Sequence, residues 1–271
     1  MQEEIRNTTE AAKNSSELAN NFYSDMRPIV QPVAKCIGAL IELAVNPILF
    51  YSEKARINYK HRLEQYQKKM EDVKEEDKCE VHPEIGVPIM QVLHYTTNDD
   101  IAEMFTNLLA SASISQTAEY AHPAFVEIIK HMSPDEAKIV KYLKGQVFIP
   151  YISLRANYKA PRSGFVTPIV KMVSLDCDLP LIYPKNIMIA ISNLLSLGII
   201  SDSGSLQLVD DNQYQNIIQK KQLDKVKAIY ESMEDIEDVT YIKGYYEVTE
   251  IGKLFIKTCC GLPSKNSPTA K

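Results

Sequence analysis

A long stretch without glycine or proline constrains the fold of this chain more than any other feature. The stretch runs from Ile48 to Lys78. Within it, residues suited to a buried face recur at alternating spacings of four and three: Tyr59, Leu63, Tyr66, Met70 and Val73. This spacing is typical of a helix that packs along a seam against a partner helix. We therefore predict a long projecting helix over residues 47–78, whose seam contacts a protein partner or a second copy of the chain.

The charges of this predicted helix fall into two blocks. Residues 54–69 carry six cations against Glu64, and residues 71–80 carry six acids against Lys74 and Lys78. Two copies of the helix in antiparallel arrangement would align unlike blocks, which favours a homo-oligomer. Solvated charges that add only solubility explain the same pattern. Both interpretations remain open.

Helix start signals and strand patterns divide the rest of the chain. Asn98, His122-Pro123 and Ser133-Pro134 each have the composition of a helix N-terminus. After Gly145 the pattern changes to short strands at 147–149, 165–173, 199–200, 206–209 and 245–248, with helices at 185–197 and 212–235. We predict a mainly α protein in which an N-terminal helical bundle precedes a winged-helix-like α+β domain.

The predicted domain boundaries follow from these patterns. They are a polar N-terminal helix or arm at 1–27, a helical domain at 28–132, a winged-helix-like domain with insertions at 133–260 and a disordered tail at 261–271.

The composition of the chain indicates its cellular compartment and whether it binds a cofactor. The formal net charge is -5, which does not attract the whole molecule to nucleic acid or anionic lipid. The five cysteines are scattered without metal-ligand spacing, so we expect no metal, no cofactor and a reducing compartment. The N-terminus lacks a signal-peptide pattern. We predict a cytoplasmic protein.

One apolar segment leaves a membrane alternative open. Residues 29–51 read IVQPVAKCIGALIELAVNPILFY and contain Lys35 and Glu42 as well as two prolines. Charges and prolines within so short a span favour a buried helix. A membrane-disrupting effector that inserts this segment is the remaining possibility.

Two segments resemble a known family. Residues 98–113 read NDDIAEMFTNLLASAS, and residues 122–143 read HPAFVEIIKHMSPDEAKIVKYL. Together with the charged helix before them, they resemble the Abi-alpha family of bacterial proteins associated with abortive infection. The resemblance implies a role in anti-phage defence, and it supplies no catalytic residue. We expect the chain to act mainly by protein–protein interaction.

A catalytic alternative rests on Arg56 and His61. Their Arg-x4-His spacing resembles the motif of the HEPN ribonucleases, in which the arginine and histidine of two subunits act on a phosphodiester. RNA cleavage needs electrostatic stabilisation and general acid–base chemistry, which these two side chains provide. A motif this short also occurs by chance, so the assignment remains a hypothesis.

A nucleic-acid alternative rests on the helix at 185–197. In a DNA-binding winged helix this element would enter the major groove and present Lys185, Asn186 and Asn193. Phosphate contacts normally dominate such binding, and this helix has few cations. The sequence therefore favours protein contact over nucleic acid.

Overall fold

The computed structural model describes residues 20–22, 24–48, 53–204 and 206–261. Within them the protein is mainly helical and contains a four-stranded antiparallel sheet. Of the predicted arm at 1–27, residues 20–22 and 24–27 are described and are helical, and the predicted tail lies outside the described residues from position 262. The chain divides into two compact units, which are Met1–His131 with Lys257–Lys271, and Met132–Ile256.

The first unit consists of helices around one central helix. In its described part the helices include α1 (Ala34–Ile48), α2 (Glu53–Met70), α3 (Pro83–Leu93), α4 (Asp99–Ala112) and α5 (Pro123–Lys130). Helices α2, α3 and α5 all contact α4. Helix α4 is buried on most of its surface, and its buried residues include Asn107 and Ser111. It therefore forms the core of this unit.

The long helix predicted over 47–78 is shorter in the structure. Helix α2 ends at Met70, residues 75–77 form only a short 3-10 helix, and residues 49–52 lie outside the described residues. The prediction that the helix continues to Lys78 is wrong. Beyond Met70 the backbone forms hydrogen bonds with the residues at the end of α4. Cys79 N donates to Ser113 O over 2.9 Å, and Ser115 N donates to Asp77 O over 2.9 Å. These tertiary bonds replace the helical ones.

The second unit combines helices with the sheet. Its described elements, of which the last ends in the first unit, are α6 (Pro134–Tyr142), β1 (Phe148–Tyr158), β2 (Phe165–Met172), α7 (Leu175–Asp178), α8 (Ile187–Ser196), β3 (Ile200–Asp202), α9 (Asn212–Lys221), α10 (Leu223–Glu231), β4 (Ile236–Val248) and α11 (Glu250–Cys259).

The sheet has the strand order β2-β1-β4-β3, and all its pairings are antiparallel. Strands β1 and β4 pair from Phe148↔Glu247 to Tyr158↔Ile236. One face of the sheet carries Ile152 and Leu154, which pack in a common core with Tyr214 and Ile217 of α9. On the opposite face the ring of Tyr151 lies across Gly244, where an added Cβ would stand 2.4 Å from the ring. Glycine is required there because of this close approach.

The predicted helix starts are confirmed. Asn98 accepts a hydrogen bond from Ile101 N at the start of α4, and His122 accepts one from Ala124 N at the start of α5. Ser133 begins α6 with a capping box, in which Glu136 N donates to Ser133 Oγ over 3.4 Å and Ser133 N donates to Glu136 Oε2 over 2.7 Å. Side-chain oxygens or nitrogens thus satisfy the free backbone donors at each start.

Four predicted elements of the second unit differ from the structure, and one of them is the strand expected at 245–248, which begins earlier, at Ile236. The helix expected at 212–235 is two helices, because Gln222 adopts a left-handed conformation with φ 53° between α9 and α10. Residues 206–209 do not form the expected strand. The strand expected at 147–149 continues to Tyr158, although Pro150 lies within it.

Candidate functional site

The predicted seam of α2 packs inside the first unit. Tyr59, Leu63, Tyr66 and Met70 are buried, each at most 1% exposed, and α2 contacts α4 of the same chain. Val73 is half-buried and follows the end of the helix. The seam is therefore occupied by the protein itself, and contact with another protein has to use a different face of α2.

Hydrogen bonds fix the two tyrosines of this seam. Tyr66 Oη lies 2.7 Å from Ser113 Oγ, which in turn donates to Leu109 O over 2.7 Å. Tyr59 Oη donates to Met90 Sδ over 3.7 Å. Because the Ser113 hydroxyl donates to Leu109 O, Tyr66 is the donor in its bond to Ser113. Burial raises the pKa of Tyr66 well above its ordinary value, so the phenol stays protonated.

Two polar residues of α2 hold the segment between α3 and α4. Asn58 Nδ2 lies within 3.1 Å of three carbonyl oxygens, those of Leu93, His94 and Thr96. One turn further along α2, Arg62 donates to Asp99 Oδ1 over 2.8 Å and to Thr97 O over 3.2 Å. No motif in the sequence marks this pair, although a spacing of four places both side chains on one side of a helix.

The outward side of α2 carries a row of residues that we call the outer stripe, defined as Lys54, Ile57, His61 and Lys68. Their spacings of three, four and seven place them in one row along a helix, roughly opposite the buried seam. All four are exposed, and Ile57 is 63% exposed. Among the described residues, neither Lys54 nor Lys68 forms an ion pair. The outer stripe is thus a basic surface with an apolar residue in it.

An exposed aromatic side chain lies in the segment between α3 and α4. Tyr95 is 60% exposed, and it belongs to the segment whose carbonyls accept hydrogen bonds from Asn58. Tyr95 also contacts His94 edge to face, with ring centroids 4.8 Å apart. Exposed apolar side chains flanked by lysines have the composition of a protein-binding surface.

Arg56 and His61 lie on different sides of α2. Five residues of α-helix correspond to a rotation of about 140°. His61 is exposed and its Nε2 lies 3.2 Å from Gln65 Nε2, whereas Arg56 is half-buried. Within one copy of the chain these side chains do not converge on a common reaction centre, so a ribonuclease site would need a second copy.

The acidic block after α2 does not continue the helix. Glu75 pairs with Lys78 over 3.0 Å, and Glu76 pairs with Lys74 over 3.4 Å. Lys78 Nζ also donates to Pro32 O over 3.1 Å. Two acids of this block are therefore paired with neighbouring lysines, and the block is not part of a straight helix that a second copy could align with.

The three nucleic-acid candidates differ in their surroundings. Lys185 and Asn186 are exposed before α8. Asn193 donates from Nδ2 to Glu136 Oε2 over 2.8 Å, which connects α8 to the start of α6. Because Asn193 is engaged in this bond, its side chain serves the packing of the two helices.

In the described part of the chain, no group of three or more His, Cys, Asp or Glu side chains is arranged to hold a metal ion. Within the same residues, no helix has both the length and the apolar composition needed to cross a bilayer. Residues 49–51 of the apolar segment at 29–51 lie outside the described residues.

Comparisons with known proteins place the chain in a sequence family. The family model described as "Abortive infection alpha" matches residues 58–259. No curated protein matches the chain. A solved structure of an uncharacterized protein from the hydrocarbon-degrading marine bacterium Alcanivorax borkumensis SK2 is similar at 10% identity and a TM-score of 0.32, over 49% of this chain and 89% of that one. A likeness of this strength carries no argument about function.

Proposed function

The chain belongs to the abortive infection alpha family, and from this premise we propose that it acts in anti-phage defence by binding another protein through the outer stripe of α2. The family name supports the role in abortive infection. It also agrees with the resemblance of residues 98–113 and 122–143, which is confirmed. The mode of action is our proposal, and it rests on the surface of α2.

The observation that carries the proposal is the division of α2 into two opposite sides. The seam side is buried, and α2 packs against α4. The outer stripe is exposed and carries Lys54 and Lys68 on either side of Ile57. An apolar centre with charges around it is the usual arrangement of a protein interface, in which the charges select the partner. The expected partner is a phage or host protein with an acidic surface around an apolar cleft.

A plaque assay tests the proposal. The variant Lys54→Glu/Ile57→Asp/Lys68→Glu reverses the charge of the outer stripe and removes its apolar centre. We expect it to abolish protection against phage while the thermal unfolding midpoint stays close to that of the wild type, because all three side chains are exposed. The matched control is Lys225→Glu/Ile229→Asp on α10, where both residues are also exposed. Equal protection by both variants would contradict the proposal.

Site-specific crosslinking identifies what binds. A photoreactive amino acid at Ile57 should give a crosslinked product in infected cells that is absent when the same group replaces Ile229. A product with twice the mass of the chain would mean that the partner is a second copy, which makes the protein a homo-oligomer. A product of another mass, identified by peptide sequencing, would be the phage or host partner.

The HEPN-like ribonuclease is tested by substituting Arg56 and His61, of which only His61 belongs to the outer stripe. Arg56 lies off the stripe, so Arg56→Ala should leave protein binding unchanged. If Arg56→Ala and His61→Ala both protect against phage as the wild type does, and if the integrity of cellular RNA is the same in the variants as in the wild type, the ribonuclease hypothesis is excluded. If the wild type cleaves RNA and either substitution abolishes this cleavage, the ribonuclease hypothesis replaces the binding proposal.

We also propose that the second unit is a variant winged helix that supports protein contact. In support, helices α6 and α8 precede β3, which pairs with β4 from Ile200↔Val248 to Asp202↔Tyr246. Replacing Lys185 by Glu should then leave defence unchanged. Loss of defence together with loss of DNA binding in this variant would favour the nucleic-acid hypothesis instead.

A further inference from the structure

The second unit contains a cavity that the proposed function does not use. It lies between the end of α6, the start of β1, α7 and α9, and its volume is about 220 Å³. Sites for drug-sized ligands usually measure about 300–1,000 Å³, so this cavity suits a smaller molecule. Gln146, Gln213 and Asn216 belong to its lining and are exposed, so the cavity is open to solvent.

Three residues with carboxamide side chains line this cavity. They are Gln146, which precedes β1, and Gln213 and Asn216, which lie one turn apart on α9. None of the three has a hydrogen-bond partner for its side chain among the described residues. Each carboxamide offers a carbonyl oxygen as acceptor and an NH2 group as donor. A ligand with both kinds of group along one edge would satisfy them.

The charged groups beside the carboxamides neutralise one another. Asp178 accepts a hydrogen bond from Ser174 Oγ over 3.0 Å and forms an ion pair with Lys220. Burial, together with the charge of Asp178, raises the pKa of Tyr142, so its phenol remains a neutral donor at physiological pH. The cavity therefore offers neither a free cation for a phosphate nor a free carboxylate for an ammonium group.

The remaining lining is apolar and partly aromatic. Tyr142 and Phe148 are 36% and 37% exposed, and Ile149 and Pro150 complete this wall. Aromatic side chains of this kind bind the flat face of a heterocycle, while carboxamides pair with its edge. We propose that this amide pocket, formed by Tyr142, Gln146, Phe148, Gln213 and Asn216, binds a nucleobase, presented as a nucleoside or as an unpaired nucleotide.

Direct binding of nucleosides to the full chain tests the inference. Adenosine, guanosine, cytidine and uridine are titrated by calorimetry and by saturation-transfer NMR, with ribose alone and glucose as comparison probes. We expect at least one nucleoside to bind with a Kd between about 10 μM and 1 mM, and ribose not to bind. No binding of any nucleoside up to about 10 mM would overturn the proposal.

Substitutions then locate the site. Gln213→Leu/Asn216→Leu removes both carboxamides of α9 at little change in size, and we expect it to weaken binding by about tenfold to a hundredfold. The matched control is Gln219→Leu, which lies on the same helix and outside the cavity lining. Binding that is equal in both variants would overturn the assignment. Binding of glucose without any nucleoside would also overturn it and indicate a carbohydrate site.

Discussion

Arg62 and Asp99 form an ion pair in which one partner is buried and the other is exposed. Arg62 Nη1 lies 2.8 Å from Asp99 Oδ1, and the side chains are 3% and 86% exposed. Arg62 Nε has no hydrogen-bond partner among the described residues. The first turn of α4 thus provides the counter-charge for a guanidinium that α2 places in the core.

This asymmetry predicts that removing the acid is more harmful than removing the whole pair. Asp99→Ala leaves a buried charge without its carboxylate and should lower the free energy of unfolding by about 1–3 kcal/mol. Arg62→Met keeps an apolar stem and should cost about 1 kcal/mol. The double variant should resemble Arg62→Met alone. Urea unfolding of the three variants measures this, and strictly additive losses would contradict it.

The tyrosines of the seam should differ when each loses only its hydroxyl group. Tyr66→Phe leaves Ser113 Oγ without its donor in a buried site and should lower the free energy of unfolding by about 1–2 kcal/mol. Tyr59→Phe is the matched control, since Tyr59 is equally buried but donates to a sulfur atom 3.7 Å away, a weaker acceptor. Tyr59→Phe should therefore lower the free energy of unfolding by less than Tyr66→Phe does. Equal losses in denaturant unfolding would show that the Ser113 bond contributes nothing specific.

His94 should make stability depend on pH. Burial lowers the pKa of His94 below its ordinary value of 6.5. Above pH 6.5 the side chain is neutral in both states, whereas at lower pH the unfolded chain binds the proton first. Stability therefore falls as the pH drops from 6.5 to the lower pKa of the folded protein, by at most about 1.4 kcal/mol per pH unit.

The comparison of wild type with His94→Gln isolates this contribution. Unfolding at about pH 7.5 and about pH 5.5 should give a smaller pH-dependent loss in His94→Gln than in the wild type. His61→Gln, at an exposed position of α2, should keep the wild-type loss. An unchanged pH dependence in His94→Gln would contradict the prediction.

Gly244 should not tolerate a side chain. The added Cβ of Gly244→Ala would stand 2.4–2.5 Å from Tyr151, whose hydroxyl donates to Asp202 Oδ1 over 2.8 Å. Displacing this ring should cost about 1–3 kcal/mol. The control Gly145→Ala meets no atom within 4 Å and should be neutral. Combining Gly244→Ala with Tyr151→Ala should cost less than the sum of the single losses, and a full sum would exclude the steric explanation.

The local signals in the sequence were sufficient for most helix starts but not for the end of α2. Asn98 and Ser133 begin helices because their side chains bond to the backbone of the first turn, which depends on neighbouring residues alone. The end of α2 depends on Ser113, which is distant in sequence and accepts from Cys79 N. No window around residues 70–78 contains that information.

The extent of β1 was missed for a similar reason. Proline interrupts most strands, because it donates no backbone hydrogen bond. Pro150, however, precedes the residues of β1 that pair with β2, which begin at Ile152, and here β1 pairs with β4 alone. The missing donor therefore breaks no pairing with β2. The composition of the outer stripe was visible in the sequence, whereas the amide pocket joins residues 142–148 to Gln213 and Asn216, which are distant in sequence.

The last turn of α11 has a consequence for the order in which the protein is made. Asn107 Nδ2 donates to Cys259 O over 2.9 Å, and Ser111 Oγ donates to Thr258 O over 3.0 Å. Both side chains are buried in the first unit. During translation α4 is synthesised before residues 132–256, whereas the acceptors of its two polar side chains, Thr258 and Cys259, are synthesised after them. The first unit is therefore the first to be started by the ribosome, but its packing is completed only after the second unit has been synthesised.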